Sequence, residues 1–517
     1  MNSKVTHRLI PPPTWLRFLA IVVLVIGIFF RFVNLERKIY WYDESFTSLR
    51  VSGYKESELI QESTNKQIID IEVLQKYQHL NEEKSLVDTV NSLALEDAQH
   101  PPLYYILMRF WLQWFGDSVS ARRSLSVFSS LLVFPSVYWL CWELFTSVLV
   151  GWVALALIAV SPLHILYAQE AREYSLWTLT TVLSSAVLLH AMRVQTKLSW
   201  GMYASTVILG LYTFSFSAFM IFGHGIYVLA MEGRRFTKTV ISFVLASFIG
   251  FVAFVPWLLV IICNFSHIQL TTDWLTHGQQ WYLVQKWLFN LCTVFFDLDF
   301  SYSFLNVFPY LIILLVGYSI YILYRYASKH IWSFILIMIA STALPLVVPD
   351  LIFEGQRSGI SRFLIPCYLS IQLAVAYLLV TQISSPSISI RQKQLWHFVI
   401  VALISAGIVS DIVSSQAKVW WTKYHSYDNV AVASIVNQAA YPLLITKPGN
   451  GLAFSYLLNS KVQLQLVVPS NIPIIANNYS DIFLYDSGHE LQSAFEKQGQ
   501  YKLVLIYPPW FWKLIKA

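Results

Sequence analysis

Between residues 16 and 414 the chain returns repeatedly to apolar stretches of about 20 residues, the length an α-helix needs to cross a bilayer. Inside hydrocarbon every backbone N–H and C=O must find a partner, which a helix provides along its own length. The reading gives about eleven such spans, near 16–32, 124–142, 148–166, 174–192, 200–215, 217–232, 238–263, 307–324, 331–349, 362–382 and 396–414. Composition agrees, with 56% hydrophobic, 16% aromatic and only 12% charged residues. The fold class expected is therefore mostly α, a polytopic membrane protein.

Lys and Arg collect in short cytoplasmic loops of such proteins. With Lys4, His7 and Arg8 inside, the alternate turns carrying Arg193 and Lys197, Arg234, Arg235 and Lys238, Arg325 and Lys329, and Arg391 and Lys393 also fall inside. The turn "CWELFTS" with Glu143 is the exception. The net charge of +6 thus reads as a topology signal and not a nucleic-acid footprint. The first apolar stretch is long and lacks a small-residue cleavage site before Arg31, so it reads as a span rather than a signal peptide. The membrane implied is an inner or plasma membrane, with the N-terminus cytoplasmic.

This orientation puts the larger non-spanning segments outside: 33–123, 164–173, 264–306, 350–361 and the tail. Two domains are expected, a transmembrane catalytic domain over 1–414 and an outer-face α/β domain over 415–517. Within the loop, Ile68, Ile69, Val73, Leu74 and Tyr77, then Leu86, Val90 and Leu93, recur at helical spacing and suggest one or two amphipathic helices, on the membrane surface or as a solvated insertion. In the tail, "PLLIT", "VQLQLVV", "DIFLYD" and "KLVLIY" read as strands alternating with helix-like "GHELQSAFEKQG". Cys141, Cys263, Cys292 and Cys367 show no metal-ligand spacing, although Cys263 and Cys292 both lie near the outer surface, where a bridge could form. No Walker loop, dinucleotide fingerprint or zinc motif occurs.

Ionisable residues at membrane depth are costly and are functional or paired. They gather in four outer stretches: "WYDES", "QHPPLYY", "LYAQEAREYSLW" and "GQRSGISRFLIP". Asp43 and Glu44 follow the first span. Next come His100-Pro101-Pro102-Leu103-Tyr104-Tyr105, then Gly116-Asp117 with Arg123 and Ser126, then His164 and Tyr167 through Leu176, and finally Arg362-Phe363-Leu364-Ile365-Pro366. In this order and at these positions the motifs resemble glycosyltransferase family 39 and the protein-mannosyltransferase-like group of integral membrane enzymes (GT-C type), which includes bacterial aminoarabinose transferase. The resemblance spans residues 1 to about 382. In "RRSLS" it departs from the family pattern, and the spacing to Ser126 favours Arg123 over Arg122.

The resemblance implies transfer of a hexosyl or pentosyl group from a polyprenyl-phosphate donor to a lipid, glycan or protein acceptor on the outer face, with inversion. It implies Asp43 and Glu44 as catalytic carboxylates, with Asp43 as the base, Arg123, Arg172 and Arg362 on the donor phosphate, and His100, Tyr104, His164, Gln169, Glu170 and Tyr174 as substrate contacts. Some relatives use a divalent metal, for which Glu44 and His100, with His164, are the candidate ligands. The chemistry is consistent with these residue types. A carboxylate can take the proton of an attacking hydroxyl, and arginine donates two parallel hydrogen bonds to a phosphate. Plainer readings stand beside these: acids that cap a helix, arginines that snorkel or pair with Glu170 or Glu354, and prolines that start one. A transporter or lipid flippase, or an inactive binding subunit, is the alternative function. Transporters show internal repeats and midplane charges, and neither is visible here.

Overall fold

The computed structural model describes residues 14–66, 68–233, 235–300, 303–467, 479–485, 488–498 and 501–516. Lys4, His7, Arg8 and Arg234 of the charge argument, and part of "VQLQLVV" and "GHELQSAFEKQG", lie outside them. Two compact units result. One holds the chain up to Val33, Ala98–Tyr104 and Arg123–Ser415; the other holds Asn34–Asp97, Tyr105–Arg122 and Gln416–Ala517.

In the first unit the apolar stretches are helices. Seven are long and apolar enough to cross a membrane, or eight with a broken span, among the described residues. They include Val119–Phe145, Tyr174–Val194, Lys238–Cys263, Phe308–Tyr326 and Lys329–Phe353, with Ile365–Ser384 and Ile390–Gln416 in the remaining two. Helices also occupy the other expected spans, as Thr14–Phe32, Lys197–Thr213 and the short apolar Ser217–Met231. The aromatic stretch near 281–296 is a shorter helix, Gln280–Thr293. The Lys238–Cys263 helix turns Phe248 and Ile249 outward as a lipid face, whereas nearly all of Tyr174–Val194 is enclosed.

The broken span sets up the turn that follows it. Val148–Ala159 and Pro162–Ala168 are bent by 61° at Ser161, since Pro162 cannot continue the preceding helix but suits the first turn of the next. The break frees carbonyls inside the unit, and Arg31 satisfies them, donating to Ala159 O at 2.6 Å and Ile158 O at 3.2 Å. Gly27 makes room for this, because a Cβ there would stand 2.3 Å from Ala159 O. The reversed chain then leaves residues 169–173 as a turn before Tyr174 starts the next helix.

The second unit is built on one six-stranded sheet, β1 Ile69–Asp70, β2 Pro442–Thr446, β3 Gln463–Leu466, β4 Asp481–Tyr485, β5 Tyr501–Tyr507 and β6 Phe511–Lys516, in the order β1-β3-β2-β4-β6-β5. β2 pairs in parallel with β3 and β4, so its connections must cross over, and the helix Pro448–Phe454 lies in the first. Side chains alternate across the sheet. Leu443, Ile445, Ile482 and Leu484 pack with Leu491 and Phe495 on one face, while Leu444 and Phe483 face a cluster with Leu49, Leu59, Ile71 and Leu74. The segment 34–97 therefore supplies both an edge strand and part of this core. Its helices are Tyr42–Val51, Glu56–Lys66, Ile71–Lys76 and Leu86–Glu96. The four cysteines are separate thiols; Cys292 is buried and Cys263 exposed, so the bridge considered for them is not formed.

Candidate active site

In the first unit the turn after the broken span collects the ionisable residues. His100 Nδ1 lies 2.9 Å from Glu173 Oε1, and Arg172 Nη2 lies 3.3 Å from the same oxygen and 3.4 Å from His100 Nε2. With arginine as donor to Nε2, the imidazole proton belongs on Nδ1, facing the carboxylate. Burial alone would raise the Glu173 carboxyl, but Arg172 and His100 outweigh it and hold the group down at about 2. Both Arg172 and Arg362 stand against the ring of Tyr174, at 5.7 and 5.4 Å from its centre. Arg362 comes from the 3-10 turn Ser361–Leu364, whose Ser361 Oγ shares a hydrogen bond of 2.7 Å with Tyr167. Two buried cations thus reach one aromatic ring from separate parts of the sequence.

The "HPPLYY" stretch joins the same turn. Tyr104 shares a hydrogen bond of 2.8 Å with Ser126 Oγ, which donates to Arg172 O at 3.0 Å. Arg123, one turn before Ser126, is fully buried. Gln169 serves a different purpose: its amide donates to Phe30 O and Val33 O, closing the end of the Thr14–Phe32 helix. His164 points to Gln372, with Nε2 2.9 Å from Oε1, and Glu170 is buried in the turn itself. Glu173, which reaches both His100 and Arg172, was not singled out in the sequence. Its only signal there is its place beside Arg172 in "AREYS".

In the second unit the helix Tyr42–Val51 begins with Asp43 and Glu44 in its first turn, where acids meet the positive end of the helix dipole. Their environments differ. Glu44 is fully enclosed, accepts from Trp41 N at 3.5 Å at the helix start, and accepts from Lys423 Nζ at 3.3 Å, itself 1% exposed. Asp43 remains partly open to solvent. Arg122 also belongs to this unit, donating to Asp117 Oδ1 at 2.6 Å, to Gln78 O at 2.8 Å and to Tyr456 OH. Burial would raise the Asp117 carboxyl, but hydrogen bonding from His79 and Leu80 N–H and the charge of Arg122 keep it below the usual carboxylate range.

For a divalent metal the residues do not assemble a donor set: no group of three His, Cys, Asp or Glu side chains converges among the described residues. Glu44 is paired with Lys423, and His100 with Glu173.

No family model matches the chain, and no curated protein matches it. Among solved structures, it is similar to ArnT from Cupriavidus metallidurans bound to undecaprenyl phosphate, with a TM-score of 0.52 at 10% identity over 97% of each chain. The apo form of that protein gives 0.56 at 9%, over 96% of this chain and 98% of that one. The archaeal oligosaccharyltransferase AglB from Archaeoglobus fulgidus, in complex with an inhibitory peptide and a dolichol-phosphate, gives 0.50 at 9%, over 98% of this chain and 74% of that one. At such identities the likeness establishes the fold.

Proposed function

We propose that this chain, which has the fold of a polytopic GT-C membrane glycosyltransferase, transfers a sugar from a polyprenyl-phosphate donor to an acceptor hydroxyl outside the membrane. The observation that carries the reading is the pair of buried arginines, Arg172 and Arg362, held against Tyr174 and steadied by Glu173 and His100. Two structures with this fold contain a polyprenyl or dolichol phosphate. Clustered guanidinium groups match the geometry and charge of a phosphate.

In this reading the acceptor oxygen attacks the anomeric carbon as Asp43 takes its proton. The bond from that carbon to the phosphate oxygen breaks, and the electron pair leaves with the lipid phosphate. Attack and departure on opposite faces invert the anomeric centre. Arg172 and Arg362, with Arg123, neutralise the phosphate as its charge grows. The residues at hand do not form a metal site, and no step is routed through one.

The test is transfer of labelled sugar from a panel of polyprenyl-phosphate sugars in proteoliposomes, comparing the native chain with Asp43→Asn. Losing a general base costs about 10²–10⁴-fold, so transfer should drop by at least about 100-fold at unchanged donor binding. Equal rates would remove Asp43 from the mechanism. A native chain inert toward every donor would leave a transporter, a flippase or a binding subunit.

A further inference from the structure

Asp43 is flanked by two residues held from the far end of the chain. On one side, the Tyr42 N–H donates to Ser426 Oγ at 3.1 Å, and the Tyr42 ring lies 5.4 Å from that of His425. Gly449 completes the fit, because a Cβ there would stand 2.6 Å from Tyr42 Cε2 and 2.8 Å from Phe46 Cε2. On the other side, Lys423 Nζ reaches Glu44 at 3.3 Å and lies 5.2 Å from the Trp41 ring. The holding residues belong to the 3-10 segment Trp421–Ser426 and to the helix Pro448–Phe454.

We infer that the C-terminal segment is a positioning element of the transfer reaction, fixing the start of the Tyr42–Val51 helix so that the Asp43 carboxylate leaves it in one direction. This rests on Asp43 being the base. A plain helix cap requires only Glu44 and the Trp41 N–H. A lysine from 379 residues away, buried with Glu44, adds little to stability, because desolvating an ion pair cancels most of its attraction. What such a pair can add is a single geometry, and a base must be held to within about 0.5 Å of its productive position. The first turn of a helix frays most readily, and Asp43 sits in that turn. The grip on Tyr42 and Glu44 leaves the carboxylate between them partly open.

The experiment compares Ser426→Ala, the neutral pair Glu44→Gln with Lys423→Met, and Lys423→Arg in full-length chain in proteoliposomes. Two readouts are taken: transfer kinetics and hydrogen exchange at the amides of residues 42–45. The double variant leaves no unpaired buried charge, and Ser426→Ala removes one hydroxyl, so both should fold. Misplacing a catalytic group by about 1 Å costs roughly 100-fold. We expect kcat to fall about 10- to 100-fold in Ser426→Ala and in the double variant, with donor KM within about twofold and faster exchange at the helix start. Lys423→Arg should recover most of kcat. Unchanged kcat in an active native background, or unchanged exchange, would overturn the inference and leave the proposed function standing. A native chain that transfers from no donor would overturn the proposed function before any variant is compared, and the inference with it.

Discussion

Protonating Glu173 would leave Arg172 buried beside a neutral acid. The folded carboxyl is held at about 2 against an ordinary value of 4.5, so this group favours the folded state most above pH 4.5 and loses that contribution as pH falls toward 2. The difference corresponds to on the order of 3 kcal/mol. Thermal unfolding in detergent between pH 6 and pH 3 should therefore fall more steeply for the native chain than for Glu173→Gln; parallel curves would contradict the pairing. Arg362 is tested by binding, with no turnover needed. Removing one arginine of a phosphate pair should weaken undecaprenyl-phosphate binding about 10- to 150-fold in Arg362→Ala, in line with about 1.5–3 kcal/mol for a charged hydrogen bond; binding unchanged in a direct titration would take Arg362 out of the site. At this scale the sequence made residue types legible but not their partners. Arg172 and Arg362 stood out because charge near hydrocarbon is conspicuous. Glu173 did not, since a second acid in a polar turn shows its importance only when His100 arrives from 73 residues away.

Elements that carry their own apolar pattern were readable, and those that depend on a distant partner were not. β2 coincides with "PLLIT", and β4 lies within "DIFLYD". β1 is only two residues long, and nothing marks Ile69–Asp70 as a strand until β3 lies beside it, Ile69 facing Leu464. β6 follows Pro508 and Pro509 as "FWKLIK", with lysines that mask its alternation. The amphipathic stripe of the loop was visible, but the core it joins was not: Leu74 packs with the tail's Leu444, Phe454 and Leu464. Leu74→Ala in the full chain should therefore cost about 2–5 kcal/mol, the usual range for a buried leucine. The loss should appear as faster hydrogen exchange in β3, at the far end of the chain; protection of β3 left intact would mean that the loop contributes no core. The lone exception to the charge rule also resolves at this scale. Glu143 is 3% exposed and lies 2.8 Å from Arg193, so the acid in the basic layer is neutralised by a neighbour.

For the whole molecule, the β1–β3 pair is a constraint on topology. Residues 34–97 and 416–517 share one sheet, so they lie on the same side of the membrane, and the chain from 98 to 415 must cross an even number of times. Seven crossings are thereby excluded, whereas eight, with the broken span counted, satisfy the rule. So do ten, if Lys197–Thr213 and Ser217–Met231 also span. Basic turns give the expected direction: we expect Arg193, Lys197 and Arg391 inside, and with them the sheet and Asp43 outside. Single cysteines in a cysteine-free background test this with an impermeant maleimide. We expect Glu82→Cys and Ser460→Cys to label in intact cells, and Lys197→Cys and Arg391→Cys to label only after permeabilisation. Labelling of Glu82→Cys and Ser460→Cys from opposite sides would break the sheet. Labelling of both only after permeabilisation would keep the sheet but invert the chain, placing Asp43 on the face where the basic turns belong and leaving the outer-face transfer without its base.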